Sequence, residues 1–311
     1  MAPRLKPGAP VAKGIRRIVR KQVDKALDGL TGRSGSDPEE AVHDARKRFK
    51  RVRAVIRLAR GGLGRKLADR EDTRFRNAGR PLSEVRDAGV LVQALEQLAE
   101  RFGDQGRPEV IGSARERLLN RKRDICRRVL NEDGIMAKVA RAMEEARDDV
   151  KRWKVAGDDW EALEGGLKGV YRRGYRAFHE ASESATDENL HEWRKRVKDL
   201  WYLMDILKPI RPGFTEGRGE EAHKLADDLG DDHDLAVLRQ VLNDPEDKLG
   251  VHGAGCVIVP LIDRRRAELQ QDAFTRGRGL YGERPKLFVA RLGAYWRAWR
   301  SEIEADRFEA T

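Results

Sequence analysis

Read at the roughly 100° step of an α-helix, the stretch His191 to Leu207 (HEWRKRVKDLWYLMDIL) separates into two faces. Trp193, Val197, Leu200 and Met204 fall on one side and predict a buried flank. His191, Arg194, Lys195, Lys198 and Tyr202 form one stripe on the other. Ordinary surface helices mix both signs to gain pairs one turn apart, whereas this stripe reads as cationic. The same arrangement begins at His43 (HDARKRFKRVRAVIRL), with Arg46, Lys47, Lys50 and Arg57 on the His43 face and Phe49, Val52 and Ile56 opposite. His43, Arg46, Lys47 and Lys50 precede His191, Arg194, Lys195 and Lys198 by 148 residues in each case.

Two further segments repeat in the same order. Leu82 opens LSEVRDAGVLVQAL and Leu229 opens LGDDHDLAVLRQVL, so that Arg86-Asp87 matches His233-Asp234 at an offset of 147. More weakly, Gly14 to Lys21 matches Gly166 to Arg173. Three matched segments predict an internal duplication, with halves at 10–155 and 156–308. The Pro-rich residues 1–9 are expected to be disordered.

Strand-like alternation is nearly absent, with VIVPLI around Pro260 the one ambiguous run. The predicted fold is all-α. The periodicity predicts helices over 11–30, 65–77, 87–101, 109–129, 135–154, 160–182, 220–229, 235–242, 257–274 and 287–308. The two stripe helices join them. Asp37 and Pro38 start the first of these, and Gly61-Gly62 ends it. Asp187-Glu188 starts the second, and Pro209 to Gly219 reads as a loop. The mixed charges over 109–129 and 135–154 predict solvated connecting helices.

Charge sharpens the picture. Of 311 residues, 64 are Lys or Arg and 53 are Asp or Glu, a net charge of +11. With so many acids present, the surplus must concentrate on particular faces and mark an acidic partner. Cys126 and Cys256 stand apart without a C-x-x-C spacing, which points to a reduced, cytosolic compartment. The N-terminus has no apolar signal core, and no apolar run is long enough to cross a bilayer. A soluble protein with no membrane partner is expected.

The stripes suit a chain of phosphates: Arg binds the oxygens as a fork, Lys acts as a point charge, and His donates from a ring nitrogen. A metal site is not expected, because Arg and Lys flank each stripe histidine and repel a cation. Asp87 and Asp234 can cap the following helix or fix a stripe arginine. They come with no nucleophile–base arrangement that would make them general acids. There is no GxxxxGK[ST] loop and no strand-anchored GxGxxG, and no cofactor is expected. His179, His223 and His252 read as surface or packing residues, and the tryptophans mostly as core. Tyr175 and Tyr202 can order a basic side chain or meet ligand.

The HxxRKxxK pattern at His43 to Lys50 and His191 to Lys198 resembles the signature of the CHAD domain, the conserved histidine α-helical domain. The LGxxxDxxVL run at Leu229 and its counterpart at Leu82 resemble that family's second block. The resemblance covers residues 10 to 305. It implies two pseudo-symmetric antiparallel four-helix bundles facing each other across a basic groove. It also implies non-enzymatic binding of inorganic polyphosphate, often at polyphosphate granules. Carried over by position, the ligand row is His43, Arg46, Lys47, Lys50, His191, Arg194, Lys195 and Lys198; Arg57 and Tyr202, on the same helix faces, are read as extending it. Arg16, Arg20, Lys21, Arg172, Arg173 and Arg176 form a second tier, and Arg86, Asp87, His233 and Asp234 orient or cap. Gly89 and Ala236 replace the second Asp of the family block, and His233 stands where the family has Arg. The E-x-E-x-K strand of the triphosphate-hydrolase domain carried by some relatives is absent. Single-stranded nucleic acid is the rival ligand and a phosphohydrolase the rival enzyme.

Overall fold

The computed structural model describes residues 4–132, 134–243 and 254–309, and no strand occurs among them. Twelve α-helices do: α1 (Val11–Leu30), α2 (Pro38–Leu58), α3 (Arg60–Leu63), α4 (Arg65–Gly79), α5 (Ser83–Phe102), α6 (Pro108–Cys126), α7 (Ile135–Lys151), α8 (Glu161–Glu183), α9 (Asp187–Leu207), α10 (Pro212–Asn243), α11 (Ala254–Leu280) and α12 (Pro285–Glu309). The two stripe helices start where the sequence dictates. The Asp37 carboxylate accepts from the N–H groups of Glu39 and Glu40 at 2.9 and 3.4 Å, with Pro38 in the first turn. Thr186 Oγ1 accepts from Asn189 N–H at 3.2 Å ahead of α9. Each cap satisfies backbone donors that a helix start leaves free.

Helix neighbours repeat along the chain. α1 packs on α2 as α8 packs on α9, α2 on α4 as α9 on α10, α5 on α6 as α10 on α11, and α1 on α7 as α8 on α12. α10 thus stands where α4 and α5 stand in the first half. Pro81, which has no N–H to donate, separates α4 from α5. Asp228 stands 147 residues on, and α10 runs through it unbroken. The buried clusters do not follow the halves. The larger runs from Leu5 to Trp299, and the smaller joins Leu91, Leu95 and Leu98 of α5 to Leu235, Leu238, Ile258 and Ile262 of α10 and α11.

Several expectations are corrected. The predicted loop from Pro209 to Gly219 is a 3-10 turn (Lys208–Ile210) followed by the start of α10. The predicted helices 220–229 and 235–242 are one element. α5 begins at Ser83, so Asp87 and Asp234 both lie inside helices and neither is an N-cap. α2 ends at Leu58 rather than at Gly61-Gly62. VIVPLI is helical, with Pro260 inside α11. α7 is not a solvated connector, since it buries Val139, Ala140, Met143, Ala146 and Val150 against α1. The N-terminal segment is docked from Leu5 onward: Leu5 is buried and its N–H donates to the Ile206 carbonyl at 3.1 Å. His252 and the predicted break at Asp244-Pro245 lie outside the described residues.

Where the halves meet, α8 crosses α2 at Gly166. A β-carbon there would overlap the carbonyl oxygens of Leu58 and Arg57, so only glycine lets the two backbones approach this closely. α8 also packs along α9, so the crossing ties α2 to the helix that carries the second stripe.

Candidate cationic site

α2 and α9 pack side by side, flanked by α5 and α10. Their apolar flanks are fixed by Phe49, Val52 and Ile56 and by Trp193, Val197 and Leu200, all buried. The polar faces therefore turn to a common side. They line one cavity of about 500 Å³, with His43, Arg46, Lys47 and Lys50 from α2 and His191, Arg194 and Lys198 from α9. Arg86 and Asp87 of α5 and His233 and Asp234 of α10 complete that wall. Lys195 lies on the far side of the ridge, where it lines an adjoining cavity of about 410 Å³ with Lys50 and Lys198.

The stripe arginines are held in matching ways. One Arg46 nitrogen donates to the Gly79 carbonyl at 2.9 Å and to Ser83 Oγ, and another lies 4.0 Å from Asp87. Arg194 lies 3.7 Å from Asp234 and packs on Gly230, where an added β-carbon would sit 3.3 Å from the guanidinium. With the cap role excluded, Asp87 and Asp234 each lie beside a stripe arginine. Arg194 Nε and His191 Nδ1 are buried without a hydrogen-bond partner among the described residues.

Lys47, Lys50 and Lys198 form no ion pair within 4 Å among the described residues, and the wall is crowded with like charge. Lys50 retains accessible surface yet lies deep among protein atoms; burial, Arg46 and Arg194 push its ammonium down to about 8. Burial, Arg194 and Lys50 push Lys198 down to about 7. His43 is lowered by burial, Arg86 and Lys47, and His191 by burial, Lys195 and Arg194. His233, in ring contact with His191 (centroids 4.2 Å apart), is driven down to about 4 by burial, His191 and Arg194. It is therefore neutral at pH 7, whereas its counterpart Arg86 is a cation. Burial holds Asp234 above the ordinary carboxylate value, against Arg194 and Arg86.

Other predicted residues lie elsewhere or are already engaged. Arg57 bonds Asp199 and lies 3.0 Å from Asp72; these carboxylates outweigh burial and raise it, so it is committed to an internal ion pair. Lys195 pairs with Glu192, as does Arg196, so the α9 stripe is not free of acids on that flank. Tyr202 is buried at the cavity edge, and burial raises its hydroxyl to about 12. Arg16 donates to the Trp153 carbonyl at 3.0 Å, and Arg20 and Lys21 are exposed; all three sit on α1 and line none of the cavities described here. Arg172 and Arg176 are exposed on α8, away from the cavity, and Arg173 faces Asp199 and Arg196. The second tier does not converge on the site, because α1 and α8 pack on the opposite flanks of α2 and α9.

The structure adds residues that the repeat did not point to. Trp201 and His223 stack with centroids 3.9 Å apart at one end of the cavity, and Tyr202 stacks on Trp201 at 4.9 Å. His223 also lies 3.5 Å from Asp227. Arg76 and Arg80, spaced four apart along α4 and its end, line the side spaces beyond Lys50. That spacing was visible in the sequence, but not that α4 leans on the stripe. No group of three or more His, Cys, Asp or Glu able to hold a metal occurs among the described residues. No helix there is long and apolar enough to cross a membrane.

Comparison with curated proteins finds no match. Among solved structures, the chain is similar to PptA from Streptomyces chartreusis, with a TM-score of 0.59 and 14% identity over 86% of this chain and 99% of that one. It is also similar to the CHAD domain from the plant Ricinus communis, with a TM-score of 0.58 and 16% identity over 92% of this chain and 96% of that one. At such identity the likeness establishes the fold alone. The CHAD domain model matches residues 17–243, which include both stripes and both second blocks, and the chain belongs to the CHAD domain family.

Proposed function

We propose that this protein binds inorganic polyphosphate, without chemistry on it, in the cavity between α2 and α9. One observation carries the reading: two basic ridges line a single space of about 500 Å³, and Lys47, Lys50 and Lys198 within it have no carboxylate within 4 Å among the described residues. Unpaired cations this close repel one another, and a polyanion removes that repulsion along its whole length. The neutral imidazoles of His191 and His233 offer N–H donors to phosphate oxygens without adding charge. The cations and N–H donors on the wall support binding, and Ser83 Oγ, beside Arg46, is engaged with it. Retention at polyphosphate granules in the cell follows from such binding.

In the double variant Lys50→Met/Lys198→Met, retention of long-chain polyphosphate should fall by roughly tenfold or more at fixed salt, with the helical circular-dichroism signal unchanged. Wild-type retention by that variant refutes the reading. The stacked Trp201, His223 and Tyr202 favour one second reading, single-stranded RNA, since bases stack on aromatic faces. Competition at fixed salt separates the two: polyphosphate should displace RNA, and RNA should not displace polyphosphate. Phosphate release with added Mg²⁺ should stay at the buffer rate, and release above it would indicate a phosphohydrolase.

A further inference from the structure

We infer that the anion path does not end in the cavity between α2 and α9 but continues past Lys50 onto α4, where Arg76 and Arg80 form a second subsite that long polyphosphate chains reach and short ones do not. The inference rests on the polyphosphate reading and names the part of the site that sets chain-length preference.

Lys50 is a junction. It lines the main cavity, the adjoining space that holds Lys195, and a third space of about 570 Å³ against α4. Arg46 and Lys50 line both the main and the third space, so the two adjoin at these side chains. No carboxylate among the described residues lines the third space. Arg53 there is spoken for by Asp72 at 3.2 Å, and Arg46 by its carbonyl and hydroxyl acceptors. Arg76 and Arg80 are exposed and form no ion pair among the described residues. They present two unneutralised forks beside Lys50, at the distance of one helical turn from each other.

The opposite end of the cavity is different. Beyond Arg86 and Asp234 lies a space of about 490 Å³ in which Arg86, Arg101 and Arg265 face Glu100, Asp231 and Asp234. Arg101 and Arg265 are further paired with Glu268, at 2.6 and 3.0 Å. A polyanion leaving that way meets as many carboxylates as cations. Leaving past Lys50, it meets cations alone, and the field draws it along that direction.

The test titrates wild type and the double variant Arg76→Ala/Arg80→Ala with inorganic triphosphate and with long-chain polyphosphate at one salt concentration. Both substitutions are on exposed side chains, and an unchanged thermal midpoint confirms an intact fold. Long-chain affinity should drop by roughly tenfold or more, the loss of about two phosphate contacts, while triphosphate affinity stays within about twofold. Arg101→Ala/Arg265→Ala should leave both ligands unaffected. Equal losses for both ligands in the α4 variant, or no loss for the long chain, overturn the branch. A comparable loss in the Arg101/Arg265 variant overturns its direction. If wild type binds neither ligand, the polyphosphate reading itself falls and the branch with it; binding to wild type with an unaffected α4 variant removes the branch alone.

Discussion

Lys198 shows what the site costs the fold. Its ammonium is held near 7 against an ordinary 10.5, so the unfolded chain binds a proton there that the folded chain gives up. A basic group lowered on folding destabilises the fold below its folded value, and stability rises with pH between about 7 and 10.5. Lys198→Met should therefore raise the urea midpoint at pH 7 and flatten its rise toward pH 9, while weakening polyphosphate retention. A lower midpoint with an unchanged slope would contradict this. An anion reverses the shift on Lys50, Lys198 and the histidines, so binding should take up protons and weaken from pH 6 to 9. Calorimetry in two buffers of different ionisation enthalpy measures the uptake, and proton release would refute it. His233→Arg should add a cation opposite Arg86 and tighten binding. At this scale the sequence was legible wherever helical spacing alone fixes a face: His43, Arg46, Lys50, His191, Arg194 and Lys198 all reach the cavity. It was not legible where the deciding partner is distant. Arg57 is neutralised by Asp199, 142 residues away, and Trp201 stacks at the cavity edge on His223 of α10.

Among the elements, α10 carries the clearest departure from expectation. A loop to Gly219 and two helices over 220–229 and 235–242 were expected, but one 32-residue helix passes through Gly217, Gly219 and Gly230, packed against α9 and α11. Glycine costs a helix about 1 kcal/mol relative to alanine, and packing of this extent outweighs that. The same continuity removed the cap role for Asp234 and placed it beside Arg194. Gly166 works the other way, since its missing side chain is what lets α8 cross α2. Gly166→Val should cost about 3 kcal/mol or more through forced separation of the two backbones. It should also weaken polyphosphate binding, because α2 and α9 are set by that crossing. Denaturant unfolding and retention assays check both, and a stable variant with intact binding would show that the ridges are positioned from elsewhere.

For the whole molecule, the all-helical class could be read from periodicity, because it depends on local spacing, whereas the meeting of the two stripes was implied only by the family resemblance. The side branch along α4 and the way the cores are shared could not, because both depend on how helices distant in sequence lie together. A path that draws in five or more phosphates predicts that log affinity falls against log salt with a slope steeper than about −3. A shallow slope would indicate that few of these cations touch ligand. The crossing of both apolar clusters from one half into the other has a further outcome. A polypeptide carrying only residues 1–155 keeps Leu91, Leu95 and Leu98 but loses the leucines and isoleucines of α10 and α11 that cover them. Alone it would turn that apolar face to water, and the intact chain is what keeps it covered.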